Sequence, residues 1–462
     1  MSVNRRDFIK KMGVGAAGIA VGAPAMSASA KGTSTTSTST TSTSAKSYNR
    51  IIGANDRIRV SIAGLGRRLG AFIEPIAMKS ANVELAYLCD VHEKQMERAM
   101  KRFSEHLNYN PKLEKDIRKV LEDKNVDVLI NATPDHWHTP GSVMAMKAGK
   151  HVYVEKPCSH NMFENELLVA AAKKYNKVVQ MGNQQRSSLH TIEMIKEIHN
   201  GIIGTPYKGV AFYTNTRGEV PLQKKAAVPA GLDWELFQGP APRRDYTSET
   251  WDYNWHWYGW DYGTAEMGNN ATHELDIARW ALGVNFPTRI DVEAAKRHFV
   301  NDGWEMYDTM DATFHFTGDK IIKWDGKSRS GYDTYGGGRG TIIYGSEGSV
   351  FMDRNKSVLY DRVGKELKDN RSTSNEAGTA LGGGGDMTTG HVINFFEAIR
   401  GKEKLTAPID DASVSMAMVH YSNIAYRIGK GFDIDEVTGK MYDRDAMKLW
   451  SREYEAGWEP TL

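Results

Sequence analysis

Gly64, Leu65 and Gly66, followed by Arg67, Arg68 and Gly70, stand directly after the apolar run at residues 57–63. A strand ending in such a turn can hold phosphate. The first glycine permits a tight turn, the second lets the backbone approach a pyrophosphate, and the next helix presents its N-terminal N–H groups. A second apolar run at 83–89 ends in Asp90, placed to accept hydrogen bonds from the hydroxyls of an adenosine ribose. An anionic Asp90 would repel a 2′-phosphate, so the expected cofactor is NAD rather than NADP. The third glycine is displaced by one place, giving Gly-x-Gly-x-x-x-Gly. Arg67 and Arg68 stand where a guanidinium would stack on adenine, meet phosphate or simply face solvent.

These residues need a parallel sheet to hold them. After Asp90 a helical pattern over 93–105 carries Met96, Met100 and Phe103 at core spacing, and a buried-type strand at 126–132 runs into Thr133, Pro134, His136, Trp137 and His138. Strand 151–155 ends in Glu155-Lys156-Pro157, and strand 177–181 leads to Asn183. Repeated βα units of this length imply a doubly wound parallel sheet with ligands at the strands' C-terminal ends. From about residue 190 the pattern changes to strands at 210–216, 289–293, 309–317, 320–324, 340–344 and 349–352, the signature of a larger, mostly antiparallel open sheet. The expected fold class is α/β: a Rossmann domain over 57–185, then a C-terminal α+β domain over 186–462 for substrate binding and oligomerisation. The aromatic loop at 251–262 and glycine-rich loops at 336–338 and 382–385 read as surface connections near a cleft, with closing helices at 391–399 and 410–428.

A strand ending in Glu155-Lys156-Pro157 after a glycine-turn nucleotide fold resembles the Gfo/Idh/MocA oxidoreductases, the family of glucose–fructose oxidoreductase and inositol dehydrogenase. The resemblance extends to the Thr133-Pro134…His138 turn, to Gly182-Asn183, and to the helix opening Glu266-Met-Gly-Asn269-Asn-Ala-Thr272-His273. It implies that Lys156 lies near nicotinamide and substrate and that His273 contacts the reacting hydroxyl. Thr133, Trp137, His138, Glu155 and Asn183 would line the cofactor. The chemistry suits these residue types: hydride removal from a secondary alcohol needs a base or relay for the hydroxyl proton and a donor beside the developing alkoxide. A histidine passes protons near neutral pH, and a lysine whose pKa is lowered by burial can orient the hydroxyl or share the transfer. One departure stands out. Family members that oxidise polyols usually carry aspartate four residues before the helix histidine, where this chain has Asn269. Glu266 or Asp276, a turn away, would be the compensating carboxylate.

Arg186, Tyr213, His256 and Thr272, with tryptophans 255, 257 and 260, are the expected sugar-facing groups. His136 and His138 are locally paired but have no carboxylate or thiol partner, so no metal is expected. The leading expectation is hydride transfer between NAD and a sugar, glycoside or cyclic polyol. Relatives of the same fold that work as redox-neutral glycosidases, through a transient 3-keto sugar, share the Thr272-His273 pair but typically lack the lysine of Lys156. A non-catalytic sugar sensor is the third alternative.

The 462 residues carry 59 basic and 57 acidic side chains and are 40% hydrophobic. That near balance gives no basis for a nucleic-acid partner or an anionic membrane surface. Two cysteines, Cys89 and Cys158, provide neither a disulfide framework nor a zinc cluster. Arg5-Arg6 precedes a short Gly/Ala-rich apolar stretch and an Ala-Ser-Ala site, so residues 1–30 read as a twin-arginine export signal without a stable membrane anchor. Residues 31–56, rich in Ser and Thr, read as a disordered linker. Twin-arginine export carries folded proteins, so NAD would be loaded before export to the periplasm and seldom released. A homo-oligomer is expected from the large open sheet.

Overall fold

A computed structural model describes residues 57–248, 250, 252–371 and 386–462. The expected export signal at 1–30, the expected linker at 31–56, Trp251 and the glycines at 382–385 lie outside the described residues.

The first sheet has six parallel strands: β1 (Ile58–Ala63), β2 (Val83–Cys89), β3 (Lys112–Glu114), β4 (Val128–Asn131), β5 (His151–Glu155) and β6 (Val179–Gly182), in the order β3-β2-β1-β4-β5-β6. The order reverses between β1 and β4, and a switch point of that kind opens a crevice beyond the strands' C-terminal ends. Ile58, Val60, Ile62, Val128 and Ile130 are fully buried. Such near-continuous apolar runs are what a strand covered on both faces requires.

The second sheet is built around β7 (Pro206–Thr216) and continues through β8 (Arg289–Ala295), β9 (Thr309–Phe316), β10 (Lys320–Lys327), β11 (Arg329–Ser330), β12 (Arg339–Gly345), β13 (Gly348–Met352), β14 (Lys356–Asp361), β15 (Glu366–Arg371) and β16 (Phe432–Asp433). Its order is β15-β14-β13-β12-β7-β10-β9-β8-β16, with β11 paired to β7. All pairings are antiparallel except β7 with β10. The architecture is therefore the expected α/β combination of a parallel sheet and a large, mostly antiparallel one. Alternation along β9 turns Met310, Ala312, Phe314 and Phe316 inward, as a sheet covered on one face demands.

Helix Thr272–Leu282 fills that covered face, and a Cβ on Gly209 of β7 would already touch the Ala278 Cβ at 3.1 Å. One apolar cluster runs from Val154 and Leu168 beside the first sheet through Ala278 and Met416 to Phe314 in the second. This shared core fixes the geometry between the sheets. The helix Asp386–Ile399 turns back to the first sheet, where Val392, Phe395 and Phe396 pack with Phe72 and Tyr153.

Candidate active site

A single cavity opens at the C-terminal ends of the first sheet and is walled on its far side by the second. Gly64 adopts φ +86°, and a Cβ there would lie 2.3 Å from the Ala132 carbonyl oxygen; only glycine fits this turn. A Cβ on Gly66 would meet nothing within 4 Å, so the backbone faces open space where a pyrophosphate would lie. Asp90 accepts from the Leu65 N–H at 2.7 Å and the His92 N–H at 2.9 Å. Burial raises its pKa to about 6 against those two bonds and Arg98. These features fit NAD: the glycine turn would hold the pyrophosphate, Asp90 the ribose. Arg67 stacks over the Tyr253 ring at 4.3 Å and pairs with Asp252, whereas Arg68 pairs with Glu155 at 2.7 Å. Neither guanidinium lies free, and the Arg68–Glu155 pair ties the glycine turn to the end of β5.

The segment after β7 closes over this end of the cavity. Its backbone bonds to the loop behind β2: the Asp233 N–H donates to Val91 O at 2.9 Å and the Glu93 N–H to Gly231 O at 3.0 Å. Leu232, Leu236 and Phe237 then line the cavity together with Asp90. The Trp137 indole N–H donates to Phe237 O at 3.0 Å and His136 Nε2 to the same oxygen at 2.8 Å, holding the strap down. Trp137 thus both lines the cavity and anchors its cover. His138 lines the cavity too, with Nδ1 bonded to Pro157 O at 2.5 Å, and Thr133 completes this side by donating to Asn131 Oδ1 at 2.7 Å.

Lys156 follows β5 and reaches across to the second sheet's helix. Its Nζ donates to the Asn269 backbone carbonyl at 2.6 Å. That carbonyl is available because Met267–Ala271 forms a π-type turn, a wider coil that displaces the helix's own hydrogen bonds. A regular helix start was expected here. Burial lowers the Lys156 pKa to about 8, opposed by Asp135 and Glu155. Asp135 is held by the Thr264 hydroxyl at 2.6 Å.

His273 lies one turn further on. Its Nδ1 donates to Asn183 Oδ1 at 2.9 Å, and Asn183 Nδ2 in turn donates to Asp276 Oδ2 at 2.5 Å. The carboxylate orients the amide, the amide fixes the tautomer, and Nε2 remains the bare acceptor of a residue lining the cavity. Burial, reinforced by Arg354 and Lys156, pushes its pKa well below 6.5. Asn269 takes no part in this chain. Its Nδ2 donates to Glu266 Oε1 at 2.8 Å, so Glu266 secures the π turn while Asp276 serves the histidine through Asn183.

Tyr213 and His256 both line the second-sheet side. His256 stacks on Trp255 with centroids 3.6 Å apart and donates from Nδ1 to Tyr253 O at 2.7 Å. Burial holds it neutral, well below its usual pKa.

Four expected site residues stand behind the wall instead. Leu65 is in the apolar core and contributes only its N–H. Asn183 is fully buried and supports His273. Arg186, expected to face sugar, is locked to Asp276 at 2.6 Å and to Asp411 at 2.9 Å, because a buried guanidinium is tolerable only when paired. Thr272 donates to the Gly268 carbonyl at 3.1 Å across the π turn. Of the expected tryptophans, Trp255 lines the cavity, but Trp257 is stacked on Trp304 at 4.0 Å and Trp260 packs near Tyr426. Sequence reasoning did not single out Asp135, Arg217, Tyr253 or Arg354. Isolated polar residues in loops carry no periodic signal, and only the fold brings them together.

With this geometry in view, comparison with known proteins is decisive. Residues 58–183 match the Gfo/Idh/MocA oxidoreductase family's NAD-binding Rossmann fold, and residues 189–359 match its C-terminal alpha/beta domain. The chain belongs to the Gfo/Idh/MocA family. Its first domain is accordingly an NAD-binding Rossmann fold of an oxidoreductase family. A glycosyl hydrolase family 109 protein of Saccharopolyspora erythraea is 29% identical over 196 residues, covering 40% of this chain and 42% of that protein. One from Shewanella baltica strain OS155 is 25% identical over 299 residues, covering 63% of this chain and 57% of that protein. The chain thus spans about half the length of these curated relatives. Among solved structures, the aldose-aldose oxidoreductase of Caulobacter crescentus, complexed with glycerol, superposes with a TM-score of 0.60 at 17% identity, over 82% of this chain and all of that one. The WlbA dehydrogenase of Bordetella pertussis, in complex with NADH and UDP-GlcNAcA, gives 0.60 at 18% identity, over 82% and 99%. At these identities the likeness is one of fold.

Proposed function

We propose that this protein oxidises a ring hydroxyl of a sugar, glycoside or cyclic polyol, with NAD held through the catalytic cycle. The observation that carries the reading is the meeting of Lys156 and a neutral, tautomer-fixed His273 in the cavity that also contains the glycine turn and Asp90. NAD supplies the hydride acceptor. His273 Nε2 accepts a hydrogen bond from the reacting hydroxyl, and Lys156, with its lowered pKa, takes the proton or shares it. Once the proton has moved, the Lys156 ammonium stands beside the oxygen on which charge develops. The strap that bonds to Val91 and Glu93, beside Asp90, supports retention of the cofactor. A twin-arginine signal at residues 1–30 fits a periplasmic enzyme that carries its NAD out with it.

A second reading, a redox-neutral glycoside hydrolase that oxidises its sugar, eliminates the aglycone, adds water and reduces again, is favoured by the names of the curated relatives. Purified protein incubated with sugars and chromogenic glycosides distinguishes the two. Reduction of bound NAD without aglycone release is expected. Release without net reduction supports the hydrolase, and neither event with any compound refutes both.

A further inference from the structure

The charges around the cavity are nearly all matched. Arg67 pairs with Asp252, Arg68 with Glu155, Arg217 with Glu266 at 3.4 Å and Arg339 with Glu274 at 2.6 Å. Arg354 lines the same cavity, yet its guanidinium has no ion pair or hydrogen bond among the described residues. Burial, with Arg339 and Arg68 as cationic neighbours, lowers its pKa to about 9.

Arg354 is also held in place. It sits in the turn between β13 and β14, where Asp353 Oδ1 accepts from the Asn355 N–H at 2.7 Å and the Lys356 N–H at 2.9 Å. The turn is pinned from behind, because Gln185 Nε2 donates to Asp353 O at 3.3 Å and His190 Nε2 approaches Arg354 O at 3.4 Å. Arg354 is half-buried at the cavity wall, and a positioned guanidinium with no protein partner there is the group best placed to bind an incoming anion. Of its electrostatic neighbours, Tyr213, Arg339 and Glu274 belong to the second sheet and its helix and Arg68 to the glycine turn, and it is the leading charged neighbour of His273. Arg354 therefore stands by His273, at the part of the cavity where the second sheet meets the glycine turn.

Resting on the hydride-transfer reading above, we propose that the substrate is an acidic carbohydrate whose carboxylate or sulfate-ester oxyanion is bound by the Arg354 guanidinium while a ring hydroxyl meets His273 and Lys156. The planar fork of N–H donors suits a carboxylate bidentately and a sulfate nearly as well.

The test uses NAD-loaded protein and titration calorimetry with methyl glucuronide, methyl galacturonide, a glucose sulfate ester and the neutral methyl glucoside. At least one anionic sugar is expected to bind about tenfold or more tightly than the neutral one, the scale of a charge-assisted hydrogen bond, with the preference shrinking as salt rises. The acid-to-neutral ratio should collapse toward one in Arg354→Gln and survive in part in Arg354→Lys. If no anion is preferred, or none binds, the wild-type protein alone overturns the proposal, whether or not the variants fold. Loss of NAD affinity in Arg354→Gln with an unchanged sugar ratio also overturns it, by placing the guanidinium on the nucleotide. Binding preference without NAD reduction would refute the hydride-transfer reading and leave the anion subsite standing.

Discussion

Replacing Lys156 with arginine keeps a cation at the end of β5 but removes the ability to give up a proton at any accessible pH. In the wild-type protein burial brings the Lys156 amine to about 8. An ordinary lysine titrates near 10.4, so at pH 7 only about one amine in 2,500 would be neutral; at a pKa of about 8 the fraction is about one in ten. A proton transfer to the free amine should therefore accelerate about tenfold from pH 7 to pH 9 and then level off. His273, held well below 6.5, is already neutral throughout this window and adds no limb of its own. The measurement is single-turnover reduction of bound NAD after rapid mixing with saturating sugar. Lys156→Arg is expected to lower that rate by about 10² to 10⁴ and flatten its pH dependence. A wild-type rate that does not change between pH 7 and 9 refutes proton transfer to Lys156. So does an arginine variant within about threefold of wild type.

Gly64→Ala forces a side chain into the Ala132 carbonyl at a positive φ, so the melting temperature should fall by an amount corresponding to about 2 kcal/mol or more. Gly66→Ala has room for its methyl group; the unliganded protein should melt normally while NAD affinity, measured by calorimetry, drops. Asp90→Ala should weaken NAD binding by about tenfold or more and reduce the preference for NAD over NADP, read from competitive titration. Asp276→Ala leaves Arg186 with Asp411 alone and takes an acceptor from buried Asn183 and Ser415, and thermal denaturation should show a loss of about 1–3 kcal/mol. Asn183→Asp places a carboxylate against His273 and so favours the imidazolium; the acid limb of the single-turnover profile should move to higher pH, whereas an unmoved limb would dissociate Asn183 from the histidine's protonation.

The parallel sheet, its switch point and the nucleotide turn were legible because each is local: a strand period, a glycine pair and a terminal carboxylate lie within a few residues of one another. Lys156 and His273 were legible through family resemblance, though nothing local reveals that they share a cavity. What compensates for Asn269 could not be read from the sequence. Two carboxylates lay a turn away, and only tertiary packing routes Asp276 through Asn183 while assigning Glu266 to the turn. Arg186 and Arg354 illustrate the same limit in opposite directions. Each is an arginine in a polar loop, but one finds two aspartates 90 and more residues away and the other finds none. The strap at 231–237 was equally silent, since its role depends on backbone bonds to a loop more than a hundred residues earlier.

The wide coil at Met267–Ala271 gives the chain an unusual relation between stability and length. Its five residues hold an oxygen outward for Lys156 at the expense of regular helical bonding. Deleting one residue there would let the helix Thr272–Leu282 extend backward in an unbroken spiral, a change that ordinary selection for robustness would favour. It would also rotate the Asn269 carbonyl by about 100°, out of reach of the amine. Thermostabilising mutagenesis is therefore expected to find this turn and to yield a tougher, slower protein, so library screens for stability should be paired with a turnover assay before any shortened variant is kept.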